Sequence, residues 1–215
     1  QYLRKVCFIN NNVGYILSDP GAFLKTTDGG DSWQILPFSI AGNNLTFDFA
    51  DENTGWLGNT YGIIAKTTNG GLNWVQKRPY TIGHPNASIY NIKCLGSNIC
   101  FAAQQDGEFI KTTDGGDNWI QAQPIPYGKL VSITFINGQT GFVCNNSGEV
   151  WKTENRGKNW IANMTLSFNT RCMYSDSIIG CFIVGSAGNV LHTTNYGNSW
   201  RQISLEGDLN FISFT

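Results

Sequence analysis

Apolar and polar residues alternate in short bursts along this chain, and no apolar stripe recurs at helical spacing. Leu45-Thr46-Phe47-Asp48-Phe49 shows the clearest period of two, which places alternate side chains on one face of a strand. Bursts of this kind come four to a unit, and the unit comes five times. The first unit predicts strands over 3–9, 13–17, 22–27 and 32–36, the second over 45–49, 55–58, 63–68 and 73–76. The third predicts 89–94, 99–103, 109–113 and 118–121, and the fourth 130–136, 141–144, 150–153 and 159–162. The fifth predicts 169–174, 181–184, 190–194 and 199–203.

One turn is repeated between the third and fourth strand of every unit. Thr26-Thr27-Asp28-Gly29-Gly30-Asp31-Ser32-Trp33 returns with Asn69, Gly71 and Trp74, then with Asp114, Gly116 and Trp119. Looser copies carry Asn155, Gly157 and Trp160, then Asn195, Gly197 and Trp200. Asp or Asn at the third position accepts backbone N–H bonds within the turn, as in an Asx-turn. Gly at the fifth position supplies a positive φ without a Cβ clash. The tryptophans set a period of about 40–45 residues, the mark of a propeller or a solenoid. Four short strands per unit favour the all-β propeller of four-stranded blades over the solenoid. The blades fall at approximately 1–40, 41–84, 85–126, 127–166 and 167–206, in one domain or a segment of one. Residues 207–215 read as an extra strand. Either five blades close with a strand to spare, or the chain belongs to a larger ring, and the second reading is preferred.

The turn resembles the Asp-box, also called the bacterial neuraminidase repeat. Thr54-Gly55-Trp56-Leu57-Gly58-Asn59 followed by 62–74 is also similar to the repeat of the photosystem II stability/assembly factor propellers, and Tyr15, Phe101, Phe142 and Phe182 stand where Trp56 does. The resemblance implies a propeller with a non-enzymatic binding or assembly role. Asp-box propellers also include sialidases and xyloglucanase-like glycosidases. Sialidases use an arginine triad and an N-terminal Arg-Ile-Pro. No Arg-Ile-Pro occurs here, and Arg156, one of only five arginines, lies in a box turn. A glycosidase needs two carboxylates across a cleft, and Asp48 is the best-placed inner-strand acid. The glycosidase alternative therefore needs part of its site outside this chain. A third reading is a structural subunit of a surface assembly or filament.

Composition narrows the picture. Charged residues are 13% of the chain, against an average of about 25%. The net charge is −1 with no Lys/Arg cluster, so no nucleic-acid partner is expected. No apolar run approaches the length of a membrane span. His84 and His192 stand apart with no ligand spacing, so no metal or other cofactor is expected. Opening on Gln1, the chain reads as an excised or processed piece. Six cysteines remain. Cys94 and Cys172 fall in similar first-strand columns, and Cys100 and Cys181 in one second-strand column, so Cys94–Cys100 and Cys172–Cys181 are expected as cross-strand disulfides. Cys7 and Cys144 have no evident mates. Disulfides point to a secreted, periplasmic or lumenal protein. Sequons at Asn44, Asn86, Asn145 and Asn163 agree with that.

Function should sit on the loops between second and third strands and between blades, on a rigid scaffold. The candidate ligand contacts there are Tyr61, Arg78, Tyr80, His84, Gln105 and Tyr127. Such side chains suit a protein or a carbohydrate partner. The terminal strand, 209–214, offers self-association by adding to another sheet edge.

Overall fold

The computed structural model describes residues 2–19, 21–38, 40, 42–77, 87–104, 107–122 and 128–210. Blade 1 is β1 (Tyr2–Phe8), β2 (Gly14–Asp19), β3 (Phe23–Thr26) and β4 (Gln34–Leu36). Blade 2 is β5 (Asn44–Phe49), β6 (Gly55–Asn59), β7 (Ile64–Thr67) and β8 (Val75–Lys77). Blade 3 is β9 (Ile89–Cys94), β10 (Cys100–Gln104), β11 (Phe109–Thr112) and β12 (Ile120–Gln121). Blade 4 is β13 (Leu130–Phe135), β14 (Gly141–Asn145), β15 (Glu149–Thr153) and β16 (Ile161–Thr165). Blade 5 is β17 (Thr170–Asp176), β18 (Gly180–Gly185), β19 (Asn189–Thr193) and β20 (Arg201–Ser204). Each blade is a four-stranded antiparallel meander in chain order. The fold is thus all-β, of the propeller class. Among the described residues the one helical piece is a single 3₁₀ turn, Ser186–Gly188.

The chain divides into two compact units, residues 1–105 with 110–121, and 106–109 with 122–215. In the first, blades interlock by one rule. The aromatic near the start of a second strand enters the next blade beside its box turn, and a third-strand lysine covers it. Tyr15 stacks on Phe49 at 3.8 Å with Lys25 Nζ 5.3 Å from its ring. Trp56 meets Trp119 edge-on at 5.8 Å, and Lys66 Nζ sits over Trp56 while donating to the Gly115 carbonyl at 2.8 Å. In the second unit Phe142 meets Trp200 edge-on at 5.4 Å, and Lys152 Nζ donates to Asn198 Oδ1. This is why the fifth box residue is glycine in these blades. A Cβ on Gly116 would lie 2.2 Å from the Trp56 ring, and one on Gly197 2.5 Å from the Phe142 ring.

The pairing of first with second strands slips once in every blade, always past one residue of the first strand: between Leu3 and Lys5, Asn44 and Thr46, Ile89 and Asn91, Leu130 and Ser132, and Thr170 and Cys172. A bulge bends a strand and raises its local twist.

Register also decides the cysteines. Cys94 and Cys100 are direct Cα partners on β9 and β10 and form a disulfide. Cys172 and Cys181 do not, and neither takes part in a disulfide. Cys181 faces Ser175, and Cys172 faces Val184. Cys172 therefore sits three residues from the required column, about 10 Å along the strand and beyond disulfide reach.

Burial closes two of the four sequons. Asn44 is 5% exposed and Asn145 fully buried, with the Asn145 amide donating to Glu149 Oε2 at 2.6 Å. An oligosaccharide has no access to either. Asn163 is exposed on β16, and Asn86 lies outside the described residues. At the C-terminal end Leu209 and Asn210 are not in a strand, and 211–215 lie outside the described residues. Leu209 N–H instead donates to the Gly185 carbonyl at 3.3 Å, and Asp208 Oδ1 accepts the Ala187 N–H at 2.7 Å.

Candidate functional site

The strands have two functional ends. At one end lie the box turns and the turns joining first to second strands. The fourth box residue ties them together, because Gly29, Gly70, Gly115 and Arg156 donate their N–H to Asn12, Asn53, Asn98 and Gln139 carbonyls at 2.9–3.0 Å.

All five boxes hold the same internal bonds. Thr26 Oγ1 donates to Asp28 Oδ1 at 2.6 Å and accepts the Gly30 N–H at 2.9 Å, and Asp28 Oδ1 accepts the Ser32 N–H at 3.0 Å. Thr67, Thr112, Thr153 and Thr193 repeat this with Asn69, Asp114, Asn155 and Asn195. Asn replaces Asp because the acceptor position is a single oxygen, which a side-chain amide supplies equally well. The aspartates gain more. The Ser32 hydroxyl, then Thr26, hold the Asp28 carboxyl well below the usual range. The Asn118 backbone and side-chain amides, then Thr112, lower Asp114 to about 2. These carboxylates are spent within their own turns, which leaves them no role as acid or base.

The fourth box position carries a signal the sequence reading missed. Gly29, Gly70 and Gly115 sit at φ of 75°, 67° and 72°, in left-handed space. Arg156 and Tyr196 occupy the same place at φ 59°. The glycines of the first three copies mark the position and could have revealed it.

At the other end lie the second-to-third-strand turns and the connections between blades. Tyr61 is here, 55% exposed. Its turn is fixed by Asn59 Oδ1, which accepts the Tyr61 and Ile63 N–H groups at 2.9 and 3.0 Å. Its ring lies against Gly42, where a Cβ would approach to 2.7 Å. Arg78, Tyr80, His84, Gln105 and Tyr127 lie outside the described residues. Asn145 caps its own turn as Asn59 does, accepting from Ser147 and Glu149 N–H groups. Gln104 stands in that column in blade 3, one methylene too long for the Asx geometry. It is 1% exposed, and its Oε1 has no hydrogen-bond partner among the described residues. Asn44 Oδ1 is another such buried acceptor.

Asp48, the acid considered for catalysis, is 3% exposed on the inner strand β5. Its Oδ2 accepts the Cys94 N–H at 2.8 Å and pairs with Lys93 Nζ at 3.3 Å. That ties β5 to β9. Among the described residues no group of His, Cys, Asp and Glu is placed to hold a metal ion, and no helix is long and apolar enough to cross a membrane.

Five four-stranded blades with the same hydrogen-bonded box turn define a β-propeller of bacterial neuraminidase repeats. A family model described as photosynthesis system II assembly factor YCF48 matches residues 32–169, more than half the chain, and the chain belongs to that family. Solved structures agree on the fold. One of YCF48 bound to a D1 peptide is 18% identical at TM-score 0.55, covering 94% of this chain and 80% of that one. YCF48 from Cyanidioschyzon merolae is 16% identical at TM-score 0.66, covering 94% and 71%. A GH74 enzyme from Niastella koreensis is 18% identical at TM-score 0.71, but this chain spans only 38% of it. A search of curated proteins found no match.

Proposed function

We propose that this chain is a non-catalytic, extracytoplasmic assembly scaffold that holds a protein segment on its loop side, at the end opposite the box turns. The observation that carries the reading is membership of the YCF48 family, together with a YCF48 structure bound to a D1 peptide. Tyr61 supports the location, since an exposed ring on a turn pinned by Asn59 is pre-ordered for contact. Arg78, Tyr80, His84, Gln105 and Tyr127 belong to the same proposed surface. The Cys94–Cys100 disulfide supports an oxidising compartment.

Titration of a D1 peptide into the purified chain tests this. Saturable binding is expected, weakened at least about fivefold by Tyr61→Ala, a loss of about 1 kcal/mol, and unchanged by Val75→Thr on the exposed strand β8. No binding, or equal binding by Tyr61→Ala, refutes the reading. The glycosidase alternative has behind it only a likeness of fold to a GH74 enzyme. Xyloglucan hydrolysis by the purified chain would establish it.

A further inference from the structure

The geometry points to a second ligand site, at the box-turn end between blades 1 and 2, that takes a neutral polyhydroxylated ligand such as a hexose. An open cavity of about 450 Å³ is lined by Asn10, Asn11, Asn12, Val13, Thr27 and Glu52, a volume within the range of small-molecule sites. Its frame is rigid. Asn10 Oδ1 accepts the Asn12 and Val13 N–H groups at 2.9 and 2.8 Å, and Asn10 Nδ2 donates to Glu52 Oε1 at 2.7 Å. The Asn12 carbonyl accepts the Gly29 N–H at 2.9 Å, which locks the first turn to the box. Behind the site, Tyr15 Oη donates to the Glu52 carbonyl at 2.9 Å. Burial, then Glu52, push the Tyr15 hydroxyl up to about 12, so it keeps its proton and the bond.

The lining residues are chemically mixed. Asn11 and Asn12 carry amides that both donate and accept, Thr27 a hydroxyl, and Glu52 a carboxylate of which one oxygen already accepts from Asn10. The buried Val13 supplies an apolar floor. No basic side chain lines the cavity, which argues against a phosphate or carboxylate ligand. A single carboxylate, already hydrogen-bonded to Asn10, is too little for a divalent cation, which takes several oxygen ligands of higher charge. Vicinal hydroxyls answer the whole set, donating to Glu52 and exchanging bonds with the amides. The first-to-second-strand turns of the other four blades bring no comparable run of amides, with Asp51-Glu52-Asn53, Gly96-Ser97-Asn98, Asn137-Gly138-Gln139 and Asp176-Ser177-Ile178 in that place. The site stands at the opposite end from the proposed protein surface and does not depend on it.

The test is a nuclear magnetic resonance titration of the ¹⁵N-labelled chain with methyl glycosides of glucose, mannose and galactose and with N-acetylglucosamine. Saturable shifts are expected in the side-chain amides of Asn11 and Asn12 for at least one sugar. Glu52→Gln and Thr27→Val, both at exposed positions, should each weaken that binding, Glu52→Gln by about tenfold. Absence of shifts at about 100 mM sugar, beyond even weak millimolar affinity, overturns the proposal. So do shifts unchanged in both variants, or the same shifts produced by calcium chloride alone.

Discussion

The two ends of the strands obey different rules. At the box-turn end five copies of one hairpin keep the same threonine, the same acceptor and the same fifth glycine, and they make the same bonds. At the loop end the turns share only a glycine, and the residue before them runs from Ser18 through Asn59, Gln104 and Asn145 to Gly185. The first end is constrained because the turns at Gly71, Gly116 and Gly197 are also sockets for side chains of the neighbouring blade. The second is free of that duty, so its residues can follow a partner. Uniformity in this fold reports packing, and departure from uniformity points to where contact with other molecules is sought.

The sharpest way to break the comparison is to treat a box glycine as an ordinary turn residue. Gly116→Val should destabilise the chain by about 3 kcal/mol in urea unfolding, from the left-handed φ and the collision with Trp56 together. Thr112→Val should cost about 2 kcal/mol in the same assay, because it leaves the Gly116 N–H and an Asp114 oxygen without their partner. The looser boxes respond in the opposite direction. Arg156→Gly and Tyr196→Gly should each raise stability by about 1 kcal/mol, by relieving a left-handed backbone that carries a Cβ.

Acid separates the aspartate boxes from the asparagine ones. Asp28 and Asp114 have folded values below their unfolded value of about 4. Their contribution is therefore complete above about pH 4 and is lost as the pH falls through the folded values, near 2 for Asp114. Melting temperature measured between pH 5 and pH 2 should fall more steeply for the wild type than for Asp28→Asn with Asp114→Asn, since an amide does not titrate. At the loop end, Tyr61→Ala should change stability by less than about 0.5 kcal/mol in urea, because its ring is exposed.

Much of the fold was legible because it is written five times. The strand meander, the Asx acceptors at Asp28 and Asn69, and the hairpin bond Cys94–Cys100 follow from local pattern and spacing. The second disulfide failed for a reason alignment on the box could not show. Counting from the turn places Cys181 correctly opposite Thr193, but the hairpin from β17 to β18 then pairs Cys181 with Ser175. Sequons at Asn44 and Asn145 failed likewise, since a residue at a strand end looks like a loop residue until its neighbours bury it. The bulges leave no single composition signature, as the skipped residues are two arginines (Arg4, Arg171), two aliphatics (Leu45, Val131) and Tyr90. Of the candidate contacts Tyr61 alone falls among the described residues. Gln104 escaped notice because a glutamine in an asparagine column is visible only after the strands are in register.

Chemical-shift mapping of the ¹⁵N-labelled chain with a D1 peptide tests the division between the two ends most directly. The account predicts perturbed backbone amides in the loop-end turn Thr60 to Ile63, with the amides of Gly30, Gly71 and Gly116 unmoved. Perturbation centred on those three glycines, with the Tyr61 turn silent, would contradict it.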